Sequence, residues 1–161
     1  MFRVGDKVAH PMHGAGVIDE IVTETVAGAA QDYYVFRMPV GGLILKIPTV
    51  SGETFGLRGV WEDGQIRQLL ADLSGLEVDQ FTGSWNQRYR DNMQKLKSGD
   101  LYEVARVVKS LVHREREKGL STGERKMLRT AKQILISEMV LSTGAEYSDL
   151  EQQVQLAGAG S

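Results

Sequence analysis

The order of apolar and polar positions divides the chain into two parts with different periods. Up to residue 50, short runs rich in β-branched and aromatic residues are separated by glycine and proline, a pattern typical of strands. After residue 62, apolar residues recur every three or four positions, which predicts amphipathic helices. The change of period predicts an α+β fold, with a small antiparallel β domain at residues 1–52 and an all-helical domain at residues 60–161.

The first part predicts a small, strongly bent sheet or barrel, because its strands are short and closely spaced. Residues 17–26, 32–38 and 43–47 have the composition of strands. Gly41-Gly42 predicts a two-residue hairpin turn, since glycine takes the positive φ that such turns require. The alternation of the last strand places Leu43, Leu45 and Ile47 on one face and Ile44 and Lys46 on the other.

The second part predicts five helices, whose starts and ends are marked by local signals. Three starts have an N-cap residue followed three positions later by Glu or Gln, as in a capping box. A loop is expected at residues 76–83, and Trp61 is expected to pack at the junction of the two parts. The three pairs are Ser84 with Gln87, Asp100 with Glu103, and Ser121 with Glu124; the helical segments include residues 66–73, 85–96, 101–112, 127–139 and 150–154.

Charge is distributed unevenly along the chain, although the net charge is only −2. Residues 1–83 hold 6 Lys/Arg and 11 Asp/Glu, residues 84–132 hold 13 and 6, and residues 133–161 hold 0 and 4. A segment of net charge +7 therefore lies between acidic flanks of −5 and −4. Such a segment attracts a polyanion locally, but solvated helix faces of uneven charge would give the same count.

Composition excludes several classes of protein. Apolar residues make up 42% and charged residues 25% of the chain, which is ordinary for a folded soluble domain. The absence of cysteine excludes disulfides, Cys-based zinc sites and cysteine nucleophiles. No apolar run approaches the ~20 residues of a membrane helix, and the first residues lack the apolar core of a signal peptide. A cytoplasmic location is therefore expected.

Motifs of catalytic or cofactor chemistry are absent from the sequence. The histidines His10, His13 and His113 have no cluster of carboxylates beside them, and zinc takes three or four ligands. The segment GAGV at residues 14–17 lacks the third glycine and the helix of a dinucleotide fingerprint. There is no phosphate loop and no nucleophile elbow. We expect no metal, no cofactor, no small-molecule substrate and no enzymatic activity.

The most informative segment is SWNQRYRDNMQKLK at residues 84–97. Helical spacing places Trp85, Tyr89, Asn92 and Leu96 on one side, with Arg88 on the neighbouring face and other cations around the rest. Cations neutralise phosphates, and a large apolar side chain can wedge between bases in a minor groove. Spacing by itself nevertheless favours core packing for Trp85, because tryptophan is usually buried.

Four segments together carry a resemblance to a known family. They are VGDKVAHPMHGAGVI at residues 4–18, GLRGV at 56–60, SWNQRYRDNMQKLKSGD at 84–100 and LSTGERKMLRTAKQIL at 120–135. In these the sequence resembles the CarD/CdnL family of bacterial transcription factors, and the actinobacterial type of CarD in particular. The resemblance keeps the order of the segments over nearly the whole chain. It departs at His10, where an aromatic residue usually precedes the proline.

The resemblance implies a Tudor-like domain that binds the β subunit of RNA polymerase, followed by a helical domain that binds promoter DNA. The DNA contact would lie at the upstream edge of the transcription bubble, where the family stabilises the open complex without reading a specific sequence. Lys46 and Val26 match polymerase-contact positions. Glu24 lies where a basic contact residue is usual, which puts that contact in question.

The resemblance also assigns the residues that contact DNA. Trp85 matches the tryptophan that wedges into the minor groove, and Arg90 and Arg125 match basic positions of the DNA-binding patch. Arg88 and Lys126 are adjacent cations that we add to this patch. Gln87 and Thr130 stand where related proteins have basic residues, so a weaker patch is expected.

Other functions stay open at this point. In a polymerase-binding adaptor, the helical domain would contact another protein instead of DNA. A free-standing, sequence-specific DNA binder is disfavoured, because no helix-turn-helix signature is evident. An enzyme would require a deep polar pocket with clustered titratable groups.

Overall fold

The computed structural model of the chain describes residues 1–52, 54–78 and 83–159, and it has the α+β fold that the sequence predicts. Within these ranges an antiparallel sheet comes first and helices follow. None of the helices there combines the length and the apolar character needed to cross a membrane. The strands are β1 (Lys7–His10), β2 (Gly14–Val26), β3 (Ala29–Arg37), β4 (Ile44–Pro48) and β5 (Arg58–Gly59), and the helices are α1 (Asp63–Asp72), α2 (Trp85–Lys97), α3 (Leu101–Glu117), α4 (Thr122–Thr143) and α5 (Tyr147–Ala159).

The sheet has the strand order β4-β3-β2-β1-β5, so β4 is an edge strand. Most of its area comes from the long hairpin of β2 and β3, whose register shifts at a bulge between Ile18 and Glu20. A bulge bends the strand that carries it, so this position is a local source of curvature in the hairpin. The buried residues on its inner face are Val8, Ile18, Tyr34, Phe36, Met38, Ile47 and Leu57.

The prediction of a two-residue turn at Gly41-Gly42 is wrong. The Met38 N–H donates to the Leu43 carbonyl at 2.8 Å, and the four residues between them form the loop. A turn at Gly41-Gly42 would place Val40 opposite Leu43, whereas the observed register keeps Phe36 opposite Leu45 and Tyr34 opposite Ile47 and so closes the loop at Met38. Both glycines still take positive φ values, 85° and 72°, as the loop turns back.

The two-residue turn of the sheet lies instead at the tip of the β2–β3 hairpin. Val26 pairs with Ala29, which leaves Ala27 and Gly28 as the turn. Both have positive φ, 52° and 81°, the combination that a type I′ turn requires. Alanine rarely adopts this conformation, so the residue types at positions 27 and 28 do not predict the turn.

The helices begin and end close to the predicted positions. Ser121 and Glu124 form the predicted capping box at the start of α4, while Ser84 Oγ accepts the Gln87 N–H at the start of α2. Asp100 caps α3 by accepting the Tyr102 N–H. The predicted loop at residues 76–83 lies partly outside the described residues. The predicted stripes are buried in the helical core; they include Ile66, Leu69, Leu73, Val104, Val107, Val108, Leu111, Leu128, Ala131, Leu135, Met139, Leu150 and Val154.

An ion pair between a partly exposed arginine and a buried glutamate joins the sheet to the helices. Arg58 of β5 donates from Nη1 and Nη2 to the two carboxylate oxygens of Glu138 on α4, at 2.7 and 2.9 Å. Glu138 is only 1% exposed and also accepts the Trp61 N–H at 2.8 Å. Trp61 thus lies at the junction of the two parts, as the sequence predicted. The sheet includes β5, which lies beyond residue 52.

The remaining contacts between the sheet and the helices also lie along α4. The Ala15 N–H donates to Ser137 Oγ at 3.0 Å, and Lys7 Nζ donates to the Leu141 carbonyl at 3.0 Å. Gly14 approaches so closely that an added Cβ would lie 2.3 Å from Ser137 Oγ. A glycine is therefore required where the β1–β2 connection meets α4.

Candidate nucleic-acid interface and sheet edge

Trp85 lies at the protein surface and not in the core that its spacing by itself favours. Its side chain is 43% exposed, and its ring stacks on Tyr89 with centroids 5.3 Å apart and 20° between the planes. The indole N–H donates to Ser121 Oγ at 3.4 Å. A Cβ added to Gly123 would lie 3.2 Å from the indole ring. The two stacked rings therefore form a platform against the first turn of α4.

Three of the predicted DNA-contact cations lie on the surface near this platform. Arg125 and Lys126 are exposed in the first turns of α4, close to Gly123, and Arg90 is exposed on α2 next to Tyr89. None of the three cations forms an ion pair with any other residue that the structure describes. Their charges are consequently available to a phosphate backbone.

Arg88 has a different environment from the other predicted cations. It is partly buried, and its Nη1 donates to the Gly83 carbonyl at 3.1 Å. Its Nε is buried and has no hydrogen-bond partner among the described residues. The structure therefore directs Arg88 toward the connection that precedes α2, and it does not bring this side chain together with Arg90.

The three predicted polymerase-contact residues lie on the outer face of the sheet. Glu24 on β2 and Lys46 on β4 form an ion pair across β3. The hydrogen bond and the negative charge of Glu24 raise the pKa of Lys46 above its ordinary value. Val26 is exposed on the same face, near the hairpin tip. In the free protein the Glu24 carboxylate thus neutralises the charge of Lys46.

The backbone of β4 offers unpaired groups at the sheet edge. The Leu43 carbonyl accepts the Met38 N–H, and the Thr49 N–H donates to the Asp32 carbonyl, so both residues direct their backbone groups toward β3. Because an antiparallel ladder alternates, Ile44 and Lys46 direct their N–H and C=O groups away from β3. This short edge lies beside the Glu24–Lys46 pair, so backbone and side-chain groups face the same region.

Comparison with known proteins gives matches over both parts of the chain. A family model described as "CarD, C-terminal domain" matches residues 68–155, and one described as "CarD-like/TRCF RID domain" matches residues 2–60. The Bacillus subtilis (strain 168) protein named "Putative transcription factor YdeB" is 35% identical over 144 residues, which cover 89% of this chain and 94% of that protein. The chain belongs to the CarD family.

Membership of the CarD family confirms the resemblance found in the four sequence segments. The CarD-like/TRCF RID match covers all five strands, so the Tudor-like sheet extends through β5. The CarD C-terminal match begins within α1 and reaches α5, and it includes Trp85, Arg90, Arg125 and Lys126. CarD is a family of transcription factors and not a family of enzymes.

Sequence reasoning missed the residues that support Trp85 from α4. Ser121 was recognised as an N-cap, but its hydroxyl also accepts the indole N–H. Gly123 was not singled out, although its missing side chain makes room for the ring. These contacts join residues that are far apart in sequence. The periodicity of apolar residues within one helix does not predict which residues of another helix it contacts.

Proposed function

We propose that this CarD family protein is a non-enzymatic accessory factor of bacterial RNA polymerase. It binds the polymerase β subunit through its sheet and stabilises the promoter open complex through its helical domain. The observation that carries the proposal is the exposed Trp85, held on Tyr89 and α4 among cations that have no ion pairs in the described structure. A cytoplasmic location follows from this proposed partner.

The helical domain would act by binding the opened promoter more tightly than the closed one. Trp85 would wedge into the minor groove at the upstream edge of the bubble, while Arg90, Arg125 and Lys126 neutralise nearby phosphates. A ligand shifts an equilibrium only by its difference in affinity for the two states. A twofold to hundredfold shift toward the open state needs ~0.4–2.7 kcal/mol of such preference. None of these contacts reads a base sequence.

The sheet would recruit the protein to the polymerase by β-augmentation. Ile44 and Lys46 supply outward-facing backbone groups on β4, and a strand of the β subunit can pair with them. Val26 adds an apolar contact and Lys46 a charge. Because Glu24 pairs with Lys46, a complementary basic or polar group on the β subunit would take up the freed carboxylate.

Because the protein would bind the polymerase and the promoter DNA at the same time, weak DNA binding by the helical domain is sufficient for its function. Gln87 and Thr130 stand at positions where a stronger patch would carry cations. Once the sheet is docked, the helical domain meets promoter DNA at a high effective concentration, so its own affinity can be low. The acidic net charge of the whole chain is then no obstacle to DNA binding.

The lifetime of open complexes tests the proposal directly. Open complexes are formed with the matching RNA polymerase, challenged with heparin, and followed with and without the wild-type protein. We expect the protein to lengthen the lifetime by twofold to hundredfold. An unchanged lifetime at a protein concentration that saturates the polymerase would exclude this function.

Docking at the β4 edge predicts the effect of Ile44→Pro. Proline removes the outward N–H of Ile44 and is tolerated at an edge strand where that N–H faces solvent. The loss of one backbone hydrogen bond should weaken binding to the polymerase by about two- to tenfold, as measured by titration of a labelled protein. Ile44→Ala, which keeps the N–H, is the matched control. Equal weakening by both variants would indicate a side-chain contact instead of strand pairing.

A polymerase-binding adaptor is the alternative function. In that case the rings of Trp85 and Tyr89 would contact another protein, and DNA would not be needed. The exposed cations near these rings favour DNA over the adaptor function, because Arg90, Arg125 and Lys126 have no ion pair with any described residue.

A further inference from the structure

One face of α4 connects Trp85 with the β domain. At about 100° per residue, positions 123, 126, 130, 133 and 137 lie on the same side of the helix. Gly123, at one end of this row, is covered by the Trp85 ring. Ser137, at the other end, is covered by the β1–β2 connection through the Ala15 N–H.

The middle of this row is open. Lys126 is exposed and Thr130 is partly exposed, whereas Gln133 donates from Nε2 to the His13 carbonyl at 3.3 Å. At 1.5 Å per residue, Gly123 and Gln133 are separated by about 15 Å along the helix axis. We call this opening the α4 notch: its floor is Lys126 and Thr130, and its walls are Trp85 and the β1–β2 turn at His13.

The floor and the far wall of the α4 notch come from segments that lack acidic residues. Residues 125–137 of α4 have no Asp or Glu, and neither have residues 7–18 and 33–52 of the β domain. Glu124, at the start of the floor, is buried, where it closes the capping box and pairs with Arg114 at 3.2 Å. The floor supplies cations and a hydroxyl group, and the far wall supplies histidines and backbone.

The far wall presents one histidine whose ring is free to bind. The rings of His10 and His13 lie 4.6 Å apart. His10 accepts the Met12 N–H at Nδ1, and its half-burial together with the nearby His13 lowers its pKa to about 4. His10 is therefore neutral and fixed at neutral pH. The ring nitrogens of His13 have no hydrogen bond to any described residue, and the ring is partly exposed.

We propose that the α4 notch seats the sugar–phosphate backbone of one DNA strand, so that both domains contact the DNA. Lys126 pairs with a phosphate, the Thr130 hydroxyl and the His13 imidazole donate hydrogen bonds to phosphate oxygens, and Trp85 lies on the base side. His13, on the polymerase-binding domain, thereby becomes a DNA-contacting residue. This inference rests on the proposed function and specifies the path of the strand between Trp85 and the sheet.

Photo-crosslinking from single cysteines tests the path of the strand. The chain has no cysteine, so His13→Cys, Lys126→Cys and Leu156→Cys can each be labelled at one site with a benzophenone. Leu156 is the control, because it is exposed on α5, an element that forms neither the floor nor the walls of the α4 notch. In promoter open complexes we expect crosslinks to DNA from positions 13 and 126 and none from 156. The crosslinks from 13 and 126 should map to neighbouring nucleotides of one strand.

Affinity measurements give a second test that does not depend on the label. Binding of the full chain to a fluorescent fork-junction DNA is measured at several salt concentrations. His13→Ala and Thr130→Val should each weaken binding by about two- to tenfold, and Lys126→Ala should reduce the salt slope by about 0.9. His113→Ala, an imidazole on α3 outside the α4 notch, should match the wild type.

The outcomes separate this inference from the function on which it rests. DNA crosslinks from position 126 but not from 13, with His13→Ala binding like the wild type, would overturn the two-domain seat and leave the proposed function intact. No crosslinks from either position, together with wild-type affinity for Lys126→Ala and Trp85→Ala, would overturn both.

Discussion

Trp85→Ala is expected to abolish the lengthening of the open-complex lifetime while leaving polymerase binding unchanged. The wild-type ring is 43% exposed and is already positioned by Tyr89, Ser121 and Gly123, so little ordering is required when it enters DNA. Its removal takes away the largest apolar contact with the unstacked bases. The measured lifetime should return to that of the polymerase alone, a loss of twofold to hundredfold.

Two variants control the Trp85 experiment. Leu156→Ala removes an exposed apolar side chain from α5 and should retain the full lengthening. Trp85→Phe keeps an aromatic ring of smaller area and should give an intermediate lifetime. If Trp85→Ala lengthens the lifetime as much as the wild type, the mechanism lies in the polymerase-binding sheet, and the adaptor becomes the better account.

Glu138→Ala is expected to lower the free energy of unfolding by about 1.5–3 kcal/mol, because it removes a buried carboxylate that accepts charge-assisted hydrogen bonds from Arg58, whose side chain is 28% exposed. Glu138, which is 1% exposed, accepts two hydrogen bonds from Arg58 and one from the Trp61 N–H. Denaturant titration followed by tryptophan fluorescence and circular dichroism measures the loss. Fluorescence should be a sensitive probe, because Trp61 adjoins the substituted site.

The matched control for Glu138→Ala is Asp63→Ala. Asp63 pairs with Arg67 one turn away on α1, but both side chains are well exposed to solvent. An exposed pair of this kind contributes only about 0.3–0.5 kcal/mol. A loss in Glu138→Ala no larger than that in Asp63→Ala would mean that the Arg58–Glu138 pair does not hold the sheet to the helices.

The sequence was most informative where one element determines its own structure. The stripes of α1, α3 and α4 set their buried faces, and Ser121 with Glu124 set the start of α4 within one residue. Composition failed at the hairpin turns, because the β3–β4 register closes the loop at Met38 and Leu43 and because Ala27 takes a conformation that alanine rarely adopts. Local signals therefore predict helices better than the turns of a bent sheet.

Side-chain environment was harder to predict than secondary structure. The spacing of Trp85 favours burial, but α2 is so polar that Leu96 is its buried contact with the core, and the first turn stays at the surface. Arg88 turns inward to a backbone carbonyl, which its position on a helical wheel does not reveal. The burial of Glu138 can be inferred from the sequence, because it is the one charged residue in the apolar segment ILISEMVLS at residues 134–142.

The shared use of α4 has a practical consequence for dissecting the protein. A cut near residue 60 would leave Gly14, Ala15 and Arg58 on one fragment and Ser137 and Glu138 on the other. Each fragment would expose a surface shaped for its missing half, and the N-terminal piece would carry an unneutralised guanidinium. Affinities measured with such fragments would describe altered surfaces, so point variants of the intact chain are the better instruments for assigning its contacts.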